Sequence, residues 1–521
     1  MSENRGWRNF ARLRIRWGQA RLASVPMQTG NSPAAPVNAG AAPQSVRVGT
    51  SVFQNTVVQL VGRGVSLLFS AATSILLARF LGRDRMGEYG AVYAYLALYT
   101  WIATFGLEPI LAREASQRRA EASRIFLAGT VIALCFSVCG IGLALLMAPL
   151  FGYGGDLRTL VLFAAVDVLV VPAVSLAAIV FQVDMRQWYA VGIGLLRQAM
   201  WLAAIALLAS GKASIFWVIF SRSLVGFIAA IITVQVCWRK DLLPGPWSFS
   251  WQEARKLVRF GLPVALSTVS VGIYHRVDQV MLHSMAGDRV LGPYVIAVQL
   301  IELFSALPVA LMSSLFPILS CTASDEPRFT HYLSTSYRVL LLVVFGACAV
   351  MTPIAAPMIQ LFYGNAYSAT SPLLIVLIWS EVPVFFGVVI SNAMVARGLQ
   401  NYLPLSTVVG AVVNILLNLV LIPRYGALGS SWATVVSYCL ASMLMFLCFP
   451  ATRRLSWSGF RFVLPLLACA LIISTGTNAL PWTFWWKFAV AAITFPAAAW
   501  IIGILRFEDL QRAFSLLRGG F

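Results

Sequence analysis

Gly82-Arg-Asp-Arg-Met-Gly87-Glu-Tyr89 recurs 205 residues further on as Gly287-Asp-Arg-Val-Leu-Gly292-Pro-Tyr294, with both glycines and the tyrosine in the same places. Two glycines and an aromatic are a weak pattern alone. Their setting makes them informative, because each copy lies just after the first apolar block of a series of six. The blocks run at roughly 53–79, 88–111, 125–151, 158–183, 188–210, 214–238, 260–285 and 293–320, then 338–362, 371–395, 403–423, 427–449, 462–480 and 484–505. A bilayer core about 30 Å thick is crossed by about 20 apolar helical residues, so each block is long enough to span it. The expected fold is therefore an all-α integral membrane protein of about fourteen transmembrane helices. Two six-helix bundles, 52–238 and 260–449, are related by a pseudo-twofold axis along the membrane normal. A cytoplasmic linker, 239–259, joins them, and 450–521 adds helices 13 and 14 and a tail outside the repeat.

Composition agrees. The 521 residues are 59% hydrophobic and 11% charged, with a mean hydropathy of +0.81, whereas soluble domains carry roughly 25% charged residues. A soluble protein is excluded. The net charge of +19 would suit nucleic acid in a soluble chain, but here its distribution over the two sides of the bilayer decides its meaning. Counting alternate connections, about 26 Lys and Arg fall on the side of the amino terminus and about 8 on the other. That bias places both termini in the cytoplasm and leaves no reason to invoke nucleic acid. The eight cysteines include no CxxC pair and no histidine at ligand spacing, so they read as buried small apolar residues, and no metal site is expected.

The first fifty residues form a basic tail: an arginine-rich stretch from Arg5 to Leu22, then a Pro/Ala/Gly/Ser/Asn linker from about Ser24 to Ser45. No apolar core follows the charges, so no cleavable signal peptide is expected. Trp7, Phe10, Leu13 and Trp17 share one side of a helix and Arg5, Arg8, Arg12 and Arg16 the other. That pattern fits a helix on an anionic leaflet, and a solvated basic tail is the alternative.

Within the spans, an ionised side chain near the midplane costs roughly 2.5–3.5 kcal/mol, so those that remain face the bundle interior or a wet cavity. Arg63, Asp167, Arg197, Arg222, Glu302 and Glu381 each lie about 12–15 Å from a helix end, and His275, Arg276 and Asp278 lie somewhat beyond the middle. The first half is net basic there and the second net acidic. Arginine suits a phosphate because its planar fork donates two parallel hydrogen bonds and stays charged. Arg63, Arg197, Arg222 and Arg276 are accordingly candidate substrate-binding residues, joined by Asn414 and Asn418, which share a face at i,i+4 and suit sugar hydroxyls. Asp167, His275, Asp278, Glu302 and Glu381 are candidates for coupling or gating. His275, Asp278 and Gln279 share a helix face by spacing, whereas Arg276 and Asp278 do not. The structural alternatives are that the charges pair across the two halves as a lock, and that the asparagines hydrogen-bond helix to helix. Pro172, Pro263, Pro308, Pro353, Pro383 and Pro496 sit inside spans and permit kinks.

Four segments between about 50 and 440 resemble the polysaccharide (Wzx-like) oligosaccharide flippases of the MOP superfamily, relatives of the MATE exporters. They are Leu77-Ala-Arg-Phe-Leu-Gly82 with Gly87 and Tyr89; Phe105-Gly-Leu-Glu-Pro-Ile-Leu-Ala-Arg113; Arg276-Val-Asp278-Gln-Val-Met-Leu with Gly292 and Tyr294; and Asn414-Ile-Leu-Leu-Asn418 through Ile422-Pro423 to Gly426 and Gly429. The resemblance implies a transporter of a bacterial inner membrane, not an enzyme. Its cargo would be an undecaprenyl-diphosphate-linked oligosaccharide, moved by alternating access through a cationic lumen for exopolysaccharide or O-antigen synthesis. It also implies coupling to H+ or Na+, membrane lipids and polysaccharide polymerase and export machinery as partners, and no cofactor. The long arginine-rich amino terminus departs from that pattern. The rivals are a MATE-like multidrug exporter, which the basic first half disfavours, and a membrane-embedded polymerase or ligase, which the short connections of about 5–20 residues disfavour.

Overall fold

The structure, a computed structural model, describes residues 44–184, 186–240 and 247–505. The basic tail up to residue 43 and the carboxyl-terminal tail from residue 506 lie outside it, so the expectations made for them are not addressed. The chain divides into two units, 1–48 and 49–521, and the helical bundles belong to the second.

The described residues are helical and contain no strand. In chain order the helices are α1 (Gln44–Thr104), α2 (Leu107–Gln117), α3 (Ala122–Met147), α4 (Asp156–Ala164), α5 (Val166–Val183), α6 (Gln187–Ser210) and α7 (Ile215–Arg239). The second series is α8 (Trp251–Ala286), α9 (Asp288–Cys321), α10 (Glu326–Phe362), α11 (Thr370–Ala396), α12 (Leu403–Cys439) and α13 (Met445–Cys448), followed by α14 (Pro450–Ala479) and α15 (Phe484–Ile501). Eleven of the described helical segments are long and apolar enough to cross a membrane. Two of them, Val61–Gln117 and Gln400–Cys448, each carry a pair of the expected blocks. The eleven therefore carry thirteen of the expected blocks, and the remaining one, 260–285, lies in α8, which is not among them.

The breaks inside the merged helices fall at glycine. Gly82 (φ 73, ψ 177) divides α1 and Gly426 (φ 54, ψ −131) divides α12. Pro172, Pro308, Pro353, Pro383 and Pro496 lie within continuous helix instead. Only a residue without Cβ takes a positive φ at little cost, which is why chain reversal is delegated to glycine.

The repeat read in the sequence is present in space. Gly287, the residue between α8 and α9, has φ 79 and ψ 171, almost the backbone of Gly82. A Cβ on Gly87 would stand 2.0 Å from the Asp288 carbonyl oxygen, and one on Gly292 would stand 2.1 Å from that of Arg83. These two contacts exchange under the 205-residue shift. A Cβ on Gly90 would meet Val295, its own repeat equivalent, at 2.3 Å, which marks the pseudo-twofold axis. The helices α14 and α15 pack on α10, outside this arrangement.

Cys135, Cys139, Cys321 and Cys448 are exposed rather than buried, which corrects the expectation for half of the cysteines. Hydrocarbon is as accommodating to a thiol as a protein core, so an apolar membrane span has no reason to bury it.

Candidate functional site

Between the two halves lies a cavity of about 400 Å³. The first half contributes Ser70, Thr73, Ser74 and Leu77 from α1, Arg197, Gln198 and Trp201 from α6, and Arg222, Val225 and Gly226 from α7. The second half contributes Gln299, Leu300, Glu302 and Leu303 from α9 and Tyr363 after α10. Leu77 is five residues from Gly82, about 7.5 Å along a helix, so the cavity begins directly beneath the glycine contact.

Arg222 is held within the first half. Its guanidinium lies 3.8 Å from the centroid of the Tyr93 ring and donates to the Tyr89 hydroxyl, with Asp167 Oδ2 3.8 Å from its Nε. Asp167 sits in the first turn of α5, where the chain breaks at Ala165 and the free N–H groups favour an anion. Arg197 is exposed and has no ion-pair partner among the described residues. The buried Gln198 Oε1 beside it has no hydrogen-bond partner among them either. One wall of the cavity therefore presents cationic and amide groups not consumed by the fold.

The opposite wall is neutralised. Glu302 Oε1 is ion-paired with Arg276 Nη2 at 2.8 Å, both within the second half. Gln299 Oε1 accepts from Ser74 Oγ at 2.7 Å, and Ser74 Oγ lies 3.2 Å from the Tyr363 hydroxyl, so these side chains join the halves.

The remaining sequence candidates lie elsewhere. Arg63 is exposed and is not among the residues lining the cavity. Asn414 and Asn418, 1% and 0% exposed, bond to each other at 3.0 Å, and Asn414 Nδ2 donates to Ser437 Oγ at 3.1 Å. Their stripe thus binds helix to helix, and they do not reach the cavity. Asp278 is buried, accepting from the Tyr294 hydroxyl at 2.5 Å and the Gln279 amide at 2.7 Å. His275 is exposed beside Tyr274 and Tyr438, and no hydrogen bond or ion pair joins it to Asp278 among the described residues. Glu381, 2% exposed, accepts from Ser305 Oγ at 2.9 Å, and its Oε2 has no hydrogen-bond partner among the described residues.

No pair of these midplane charges crosses between the halves among the described residues. Further cross-links stand at the ends. At the glycine end, Arg79 donates to the Phe362 and Leu361 carbonyls at 2.7 and 2.8 Å, Arg83 to the Arg289 carbonyl at 2.8 Å, and Tyr367 to the Ala78 carbonyl at 2.9 Å. Tyr153 packs on His283, whose Nδ1 lies 2.7 Å from Asp288 Oδ1. At the other end Arg118 donates to both oxygens of Glu253 at 2.8 Å, and Lys256 Nζ to Glu114 at 2.8 Å. The paired Arg118 holds the Glu253 carboxyl below its ordinary range, against a smaller effect of burial.

The sequence reading missed Ser74, Gln198, Trp201, Gln299 as a cross-link, Tyr93 and Tyr363. One signal was available: Arg197 and Trp201 are i,i+4 on α6 and must share a face. Nothing in the sequence places Tyr93 under Arg222.

Two helical halves about a pseudo-twofold axis, with a polar cavity between them, define a multi-pass membrane protein built from two related helical bundles. Lipid II flippase MurJ in an inward closed conformation superposes with a TM-score of 0.68 at 14% identity, covering 88% of this chain and 99% of that one. An inward-facing multidrug resistance MATE family transporter gives 0.56 at 15% identity over 79% and 99%. Residues 52–323 match the family described as Polysaccharide biosynthesis protein, and the chain belongs to that family. Residues 263–420 match MatE. The probable low-salt glycan biosynthesis flippase Agl15 of Haloferax volcanii is 21% identical over 385 residues, 73% of this chain and 79% of that protein.

Proposed function

We propose that this protein is a flippase that carries an undecaprenyl-diphosphate-linked oligosaccharide across a bacterial inner membrane by alternating access, with both termini cytoplasmic. The observation that carries the reading is the unneutralised Arg197 beside Arg222 on one wall of the cavity between the halves. A diphosphate is the ligand that two arginines suit, because each fork can donate two charge-assisted hydrogen bonds. Amide and hydroxyl groups of Gln198, Gln299 and Ser74, with the Trp201 ring, stand where the first sugar would follow. The cavity is at the small end of the range for ligand sites, about 300–1,000 Å³, and so suits the diphosphate and its neighbouring sugar rather than a whole oligosaccharide. The match to a polysaccharide biosynthesis family and the likeness to proteins named as flippases support the same reading.

Of the carboxylates, Glu381 is the group we assign to H+ or Na+ coupling, since one of its oxygens is left without a partner. An exporter of organic cations would need a free carboxylate in the cavity, and the one that lines it, Glu302, is held by Arg276. The positive-inside bias puts the glycine end on the outer side, so this conformation is closed outward. The test is translocation of a lipid-linked oligosaccharide in proteoliposomes, run beside uptake of an organic cation. Movement of the cation alone contradicts the proposal.

A further inference from the structure

At the elbow between α13 and α14, Leu447, Arg453, Arg454, Trp457 and Ser458 enclose an open groove of about 650 Å³, remote in sequence from the central cavity. The elbow is fixed. A π-helical segment, Leu440–Leu444, precedes it, and such segments occur often at functional sites. The backbone turns extended at Phe449 (φ −98, ψ 126), Thr452 Oγ1 donates to the Phe446 carbonyl at 2.7 Å, and Ser456 Oγ to that of Met443 at 3.2 Å. Arg453 Nε donates to the Leu447 carbonyl at 2.8 Å, which aims the rest of its guanidinium into the groove.

Two arginines at the fourth and fifth residues of a helix lie near the positive end of its dipole, which favours an anion beside them. No described residue supplies one. Neither Arg453 nor Arg454 is in an ion pair among the described residues, and the sequence has no acidic residue between Glu381 and Glu508. Trp457 is 67% exposed, as indoles are at the level of lipid headgroups. The elbow joins two spans on the side that carries the excess of Lys and Arg, where the leaflet is anionic.

We propose that this groove is a headgroup site for an anionic phospholipid of the bilayer, its phosphate between Arg453 and Arg454, its glycerol against Trp457 and an acyl chain along Leu447. The site is independent of the flippase reading, because it faces the lipid and not the cavity. The test uses the purified full chain in nanodiscs, with spin-labelled phosphatidylglycerol measured against spin-labelled phosphatidylcholine. The wild type should retain phosphatidylglycerol preferentially, and each arginine removed should reduce that preference about fivefold. Arg453→Gln also removes the bond to Leu447, so Arg454→Gln, which breaks no bond among the described residues, carries the test, and Arg454→Lys should keep most of the preference. A wild type without preference, an undiminished preference in Arg454→Gln and in the double glutamine variant, or displacement by soluble glycerol phosphate as effective as by lipid would each overturn the proposal.

Discussion

Arg222 and Arg197 show two ways of keeping a guanidinium within a membrane bundle. Arg222 is stacked on Tyr93 and bonded to Tyr89, and a cation–π contact of a guanidinium that still meets the cavity is worth about 1 kcal/mol. Its removal should therefore lower both stability and transport. Arg222→Ala is expected to reduce translocation by about 10- to 100-fold, from the loss of a charge-assisted bond worth roughly 1.5–3 kcal/mol, with Arg222→Lys intermediate. Arg197 contributes no ion pair to the fold, so Arg197→Gln should leave the melting temperature unchanged or raised while translocation falls at least about tenfold. Thermal unfolding of the two variants beside a flux assay separates a residue kept for cargo from one kept for packing. Depth in a span was enough to single out both arginines in the sequence. Their surroundings were not, because the Tyr93 contact joins residues distant in the chain, and Asn414 and Asn418 looked like cargo ligands while bonding only to each other and Ser437.

Among the elements, the close approach of α1 and α9 at Gly87 and Gly292 closes one end, while the pairs from Arg118 and Lys256 to Glu253 and Glu114 tie the other. Gly292→Ala places a methyl group where the Arg83 carbonyl oxygen stands, so closure at that end should fail. A cysteine substituted for Ser74 should then react with an impermeant thiol reagent added from the glycine side, in a background without the native cysteines. Equal labelling with and without Gly292→Ala would refute that seal. Glu253, held below its ordinary range by Arg118, stabilises the fold above the unfolded-state pKa and loses that contribution as pH falls through the folded one. Glu253→Gln should lower the melting temperature at neutral pH, and the deficit should shrink in acid. The glycine element was legible in the sequence because its two copies obey one spacing. The ion pairs at the other end were not, since Glu253 and Arg118 are brought together only when the halves dock.

Across the whole molecule, the midplane charges that are paired among the described residues are paired inside one half, Arg222 with Asp167, Arg276 with Glu302 and Asp278 with Tyr294, while Arg197 is left without an ion pair. Leaving one partner of a buried ion pair uncompensated costs about 3–5 kcal/mol. Halves that paired across the midplane would meet that penalty at every opening, and these do not. What joins them at the cavity is a chain of uncharged hydrogen bonds through Ser74, Gln299 and Tyr363, each worth about 1 kcal/mol. Such an interface can part and reform. The 205-residue repeat and the midplane charges pointed to two halves about a cavity, but the sequence could not show where the halves adhere.

The most direct measurement is translocation of a fluorescent undecaprenyl-diphosphate-linked oligosaccharide in proteoliposomes holding the wild type, Arg197→Gln and Arg222→Ala at matched insertion. The wild type should move the lipid and both variants should be slowed at least about tenfold. Equal rates for all three would contradict a cavity that grips the diphosphate through these two arginines.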